Sequence, residues 1–141
     1  MMHIELLCVG RMKEPYYTAA AAEYRKRLTA YAKLTIRELP EGHPVTDALP
    51  HGVLIVTLCV EGELCSSEAL AAKLAAWQLD GRSSLCFIIG GSDGLPDEVK
   101  ARADWRLSLS PMTFPHHLAR VVVLEQLYRA MQINAGGKYH K

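Results

Sequence analysis

A chain of 141 residues, half of them hydrophobic, has room for one domain with a sizeable core and is not a disordered composition. A formal net charge of +1 excludes a strongly basic nucleic-acid coat, though not a local patch. No apolar run reaches the roughly 18 to 20 residues of a bilayer span, and "MMHIELLCVG" lacks the basic segment of a signal peptide. A cytoplasmic protein with no membrane partner is expected. Cys8, Cys59, Cys65 and Cys86 form no CxxC pair and no common zinc spacing, so reduced thiols are expected rather than a metal site.

In chain order, "HIELLCVG" (His3 to Gly10) reads as a buried strand ending in a glycine turn. Pro15 to Lys33 is Ala-rich, opens on Pro at a plausible first helical position and reads as a helix. "LTIREL" alternates as a strand does, and Pro40 to Gly52, with three prolines and two glycines, reads as a loop. "VLIVTLCV" (Val53 to Val60) is a nearly continuous apolar β-type run, as for a strand covered on both faces. "SSEALAAKLAAWQLDG" is a helix, with Ser66 as its cap, Glu68 near the positive end of its dipole and Gly81 to close it.

"SLCFIIGG" (Ser84 to Gly91) is a second doubly covered strand. "SDGLPDEVKARA" turns into a short helix, "DWRLSLS" is a short strand, and "PMTFPHH" is a loop. "LARVVVLEQLYRAMQINA" is the last helix, apolar nearly all round, ended by Gly136 and Gly137. Strands alternating with helices predict an α/β fold, a mainly parallel sheet flanked by helices, over a single domain of residues 1–141.

In such a sheet ligands bind at the carboxyl ends of the strands, which points to three loops: "TLCVEGE", "IIGGSDGL" and "LSPMTFPHH". The glycine loop matches neither a P-loop nor a dinucleotide fingerprint. Its glycines let backbone approach a ligand closely; a tight strand-to-helix turn would use them equally well. Pro111 and Pro115 stiffen the third loop, whose remaining backbone groups could read the edge of a planar heterocycle between Met112 and Phe114. A rigid hydrophobic connection would look the same.

From Pro111 to Lys141 the bases Arg120, Arg129, Lys138 and Lys141 stand against Glu125 alone, a local balance that suits an anionic partner. His116 and Arg120, and Glu125 and Arg129, are neighbours one helical turn apart. Tyr139 and His140 belong to a frayed tail or to a grip on RNA.

"IIGGSDGL", "LSLSPMTFPHHLARVVVLEQLYRAMQI" and the terminal "YHK" together resemble the RlmH family, small SPOUT methyltransferases of the large ribosomal subunit. "IELLCVG", "LTIREL", "VTLCVEGE" and "LAAWQLDGR" extend the resemblance over nearly the whole chain. It implies a SPOUT-type sheet with a C-terminal trefoil knot, a topology that default folding rules would discard. It also implies methylation of N3 of a pseudouridine in 23S rRNA of the large subunit or ribosome, by a homodimer using S-adenosyl-L-methionine.

By position, the resemblance gives Leu58, Gly90, Leu109, Ser110, Pro111, Met112, Thr113 and Phe114 to the cofactor. It gives His116, Arg120, Glu125, Arg129, Tyr139, His140 and Lys141 to the substrate side, the tail of one subunit completing the site of the other. Glu125, His140 and His116 are all candidates for the base that takes the N3 proton. Arg120 or Arg129 could face a uracil oxyanion or a phosphate, and Tyr139 could stack on the target base. One departure stands out: the family's basic loop and further helix between the second and third strands are replaced by the short Pro40 to Gly52 segment. The rival readings are a non-catalytic nucleotide- or RNA-binding module and a small hydrolase, the latter without a G-x-S-x-G nucleophile elbow.

Overall fold

Strand β1 (Met2–Val9) turns Met2, Ile4, Leu6 and Cys8 to one side and Leu7 to the other, all buried, so it can only be a central strand. The computed structural model, which describes residues 1–141, places it second in a five-stranded sheet of order β2-β1-β4-β3-β5. The other strands are β2 (Ala32–Leu39), β3 (Leu54–Leu64), β4 (Ser84–Ile89) and β5 (Trp105–Ser108). All four pairings are parallel, so the expected mainly parallel α/β sheet is present.

Helices α1 (Pro15–Leu28), α2 (Ser67–Leu79) and α4 (His116–Asn134) cover one face. They enclose a core of 23 buried residues, with Phe87, Leu74, Leu124 and Leu127 at its centre. The opposite face closes over nine, among them Ile55, Ile88, Val45 and Val99. Its only cover is a 3-10 turn at Val45–Ala48 and the short helix α3 (Asp97–Ala101). Arg37 ties that thin side together, its Nε on Glu5 at 2.9 Å and its Nη2 on the Ala48 carbonyl at 2.6 Å.

Local chemistry explains the helix ends. The Ser66 hydroxyl accepts from the Ala69 N–H at 3.0 Å, capping α2 as its sequence suggests. Gly136, at φ +73°, breaks α4 while the Gly137 N–H returns to the Gln132 carbonyl.

Two sequence expectations need correction. Helix α1 stops at Leu28 and does not run to Lys33, because Ala32 and Lys33 pair with Met2 and His3 in the sheet. That tertiary pairing overrides a helical propensity. Strand β3 is doubly covered only over Leu54–Thr57, where it lies on β4. Beyond, it runs four residues past the expected end, with Val60 and Leu64 exposed. There it pairs with β5 alone, across an irregularity between Leu58 and Glu63.

At that irregularity the backbones are in close contact. A Cβ on Gly62 would lie 2.8 Å from the Arg106 oxygen and the Leu107 carbonyl carbon. Gly62→Ala should therefore push β5 outward, at a cost of about 1–3 kcal/mol. A lowered urea midpoint with unchanged slope is the expected reading.

Candidate cofactor cavity and the two ends of the last helix

Strand order puts β3 between β4 and β5, and its outer part together with the loops leaving those two strands encloses a cavity of about 660 Å³. The expected loop "TLCVEGE" is thus a continuation of β3, held as strand by its pairing with β5. The wall holds Leu58 from β3, Gly90, Gly91 and Leu95 from the loop after β4, and Leu109, Ser110, Met112, Thr113 and Phe114 from the loop after β5. Seven of the eight positions expected to face a cofactor thus share one cavity. The eighth, Pro111, is exposed and off the wall, leaving it the task of fixing the loop's φ.

The wall mixes apolar side chains with a few polar ones and with free main-chain groups. The backbone N–H groups of Leu109, Thr113 and Phe114 take no partner within the fold. The loop holds its own shape instead, the Met112 N–H donating to the Ser110 hydroxyl at 2.9 Å and the Ser108 hydroxyl to the Ser110 carbonyl at 3.1 Å. Free main-chain groups on a stiff loop beside apolar walls fit a planar base with a polar edge. Gly90 has a different reason to be glycine: a Cβ there would lie 2.6 Å from the Gly94 carbonyl carbon, so the turn itself forbids a side chain. The tight-turn reading therefore accounts for Gly90.

His116, the first residue of α4, also lines the cavity. Burial holds its pKa below the ordinary imidazole value, and the charges of His117 and Arg120 act in the same direction. Its ring lies 4.1 Å, centroid to centroid, from that of His117, whose Nδ1 meets Glu14 at 2.8 Å. A carboxylate only accepts, so His117 carries its proton on Nδ1. Its buried Nε2 has no partner.

Arg120 is turned away from the cavity and is only 3% exposed. Its Nη1 meets Glu38 at 2.5 Å and its Nη2 donates to the Gly10 carbonyl at 3.1 Å. Burial raises the Glu38 pKa, but the Met12 N–H and Arg120 outweigh it and leave the carboxyl below its usual range.

The remaining substrate-side candidates gather at the far end of α4. Arg129 makes two hydrogen bonds to Glu125, at 2.9 and 3.2 Å, and the Tyr139 hydroxyl donates to the same oxygen at 2.6 Å. Arg129 Nη1 donates to His140 Nδ1 at 3.0 Å. The other ring nitrogen therefore carries the proton that His140 gives to Glu68 at 2.5 Å. Burial, then the Glu125 carboxylate, raises the Tyr139 pKa. The Tyr139 ring already packs against Arg129 at 4.7 Å and edge-on to Tyr128.

Of the seven substrate-side candidates, six therefore fall into three places, His116 at the cavity, Arg120 in a buried clamp, and Glu125, Arg129, Tyr139 and His140 in a network, while Lys141 is exposed. Nine residues of helix, about 13 Å, separate His116 from Glu125. Ion pairing also takes up Arg120 and Arg129, which leaves Lys138 and Lys141 as the exposed positive charges of that stretch. Sequence reasoning missed Glu14, Glu38, Glu61 and Lys100. Glu68 was read only as a dipole partner, although it is also the ligand of His140.

A family model described as "Predicted SPOUT methyltransferase" matches residues 2–140. The chain belongs to the SPOUT methyltransferase family. Among curated relatives, Ribosomal RNA large subunit methyltransferase H of Bifidobacterium animalis subsp. lactis is 44% identical, over 99% of this chain and all of that one. Its namesake in Clostridioides difficile is 43% identical with the same coverage. Both alignments run over 159 positions against 141 residues here, so the relatives carry residues this chain lacks.

Solved structures share the fold at low identity. A probable methylase family protein from Haemophilus influenzae superposes with a TM-score of 0.60 at 12% identity, covering 98% of this chain and 70% of that one. The SpoU methyltransferase AviRb of Streptomyces viridochromogenes, in complex with the cofactor AdoMet, gives 0.52 at 15% identity, covering 95% and 58%.

The Arg120 clamp yields an asymmetric expectation. Glu38→Gln leaves a buried guanidinium uncompensated and should cost about 3 kcal/mol, whereas Arg120→Met frees only a half-exposed carboxylate and should cost less. Because the Glu38 pKa is lowered in the fold, the clamp contributes fully above the usual carboxylate range. That contribution drains away as pH falls through the lowered value. Urea titrations of both variants between pH 3 and 7 check the order and the pH trend.

Proposed function

We propose that this chain, acting over residues 1–141 as one SPOUT domain, methylates N3 of a pseudouridine in 23S rRNA of the large ribosomal subunit, in the cytoplasm where ribosomes are. The observation that carries the reading is the cavity: the outer part of β3 and two strand-end loops converge on it, with free main-chain donors on a stiff wall. The names of the relatives supply the substrate class, and the AviRb complex supports the donor.

S-adenosylmethionine, when bound, supplies an electrophilic methyl group on a sulfonium. Leu109, Thr113 and Phe114 would hold its base by main-chain hydrogen bonds, with Leu58 and Met112 as apolar walls. His116, kept neutral at pH 7 by its lowered pKa, stands nearest to take the N3 proton as nitrogen attacks.

Within one chain the network at Glu125, Arg129, Tyr139 and His140 lies too far along α4 to reach the same base. We infer a homodimer in which the tail of one copy completes the site of the other, with a trefoil knot in the C-terminal part of the fold as in the family. Tyr139 would have to leave the Arg129 face before it could stack on RNA.

Ribosomes lacking the modification should accept label from S-adenosylmethionine, and mass spectrometry should place the methyl on pseudouridine. Equal transfer to uridine would refute the substrate class. Binding of donor without turnover would instead mark a non-catalytic module. Removing Tyr139 to Lys141 should abolish transfer while donor binding, followed by calorimetry, survives. The single-turnover rate should rise with pH to a midpoint below about 6.5, the ordinary imidazole value. His116→Asn should remove that limb.

A further inference from the structure

The cavity wall carries two charged side chains, one of each sign, beside the titratable His116: Glu61 at the outer end of β3 and Lys100 on α3. Their contact, Nζ to Oε1 at 2.5 Å, bridges two elements that lie 39 residues apart in the chain. Both sit at the rim, the Glu61 side chain 58% exposed and that of Lys100 21%. The interior behind them is apolar, with main-chain donors on the third loop.

The donor has two unlike ends. The planar base belongs in the apolar interior, where free backbone groups can meet its edge. The amino-acid end carries an ammonium and a carboxylate side by side, and these need opposite charges or water. Each is matched in sign by one member of the rim pair. Proceeding from the reading that the cavity holds S-adenosylmethionine, we propose that Glu61 accepts from the α-ammonium and Lys100 donates to the α-carboxylate of the cofactor.

In the protein alone each residue is the other's partner. Lys100 holds the Glu61 carboxyl below its usual range, and Glu61 raises Lys100, so both are charged at neutral pH. An exposed pair of this kind is weak enough to open for a ligand. The long lysine stem can swing while α3 stays fixed, since Arg106 Nε donates to the Lys100 carbonyl at 3.1 Å. The Arg106 charge also acts on Glu61, so the carboxylate keeps a positive neighbour when Lys100 turns to the ligand. The rim pair thus exchanges one salt bridge for two.

The test compares two ligands that share the nucleoside and differ at this end. S-adenosylhomocysteine keeps the amino-acid group; 5′-methylthioadenosine lacks it. Calorimetry on the full-length chain should show the wild type preferring the homocysteine compound. Glu61→Gln and Lys100→Met should each weaken that compound roughly tenfold and leave the methylthio compound within about twofold. Lys100→Arg should retain most of the preference. The preference is a ratio within one sample, so a partly misfolded preparation does not alter it.

Equal weakening of both ligands would mean that the pair touches the ribose or shapes the cavity, and the proposal falls. Unchanged affinity for the homocysteine compound in both variants overturns it as well. A wild type that binds neither ligand fails earlier: it removes the cofactor reading itself, and this proposal with it.

Discussion

Strand β3 has to serve two neighbours at once. Val56 and Thr57 pair with β4 on one side and β5 on the other; beyond Thr57 only β5 remains, and the register to it shifts between Leu58 and Glu63. That is also the part of β3 that lines the cavity. The backbone contact at Gly62 is so close that no side chain fits. Cys59, Val60 and Glu61, within the shifted stretch, line the cavity beside the loops that follow β4 and β5. The shape of the cavity is thus set by main-chain geometry, and its few charged side chains stand at the rim.

Helix α4 links that cavity to the rest of the molecule. His116 touches the cavity, and one turn later Arg120 fastens the helix to the β1–α1 connection through Gly10 and to β2 through Glu38. A residue that looks from its spacing like an RNA ligand is here a structural clamp. Its removal would move His116, so loss of activity in an Arg120 variant is no evidence of RNA contact. Farther along, α4 carries an ordered network with the tail. Tyr139 and His140 are already hydrogen-bonded within one chain, so little ordering entropy remains for the tail to lose.

Much of this was legible in the sequence for reasons that are local. The Ser66 cap, the glycine stop after α4 and the doubly covered β4 all depend on chemistry within a few residues. The place of the cavity was legible because a parallel sheet directs ligands to its carboxyl edge, although "TLCVEGE" is strand and not loop. What escaped depends on distant partners. Ala32 and Lys33 are strand only because Met2 and His3 lie beside them. Arg120 is clamped by a glutamate 82 residues away. Lys100 reached the rim because α3 folds over β3, and nothing in "PDEVKA" distinguishes that lysine from a solvated one.

The two faces of the sheet are unequal, and this has a consequence for how such a chain can change. The 23-residue side holds α4, whose His116 and Ala119 line the cavity, packed with α1 and α2. The nine-residue side is closed by little more than a turn, a short helix and the Arg37 clamp. The short Pro40 to Gly52 connection, where the sequence reading puts the residues the relatives have in addition, lies on that side. Insertion or loss of a whole segment there leaves the cofactor loops in register. Within the thin face the Pro40 to Gly52 connection is a replaceable cover, whereas α3, which carries Lys100 to the cavity, is not.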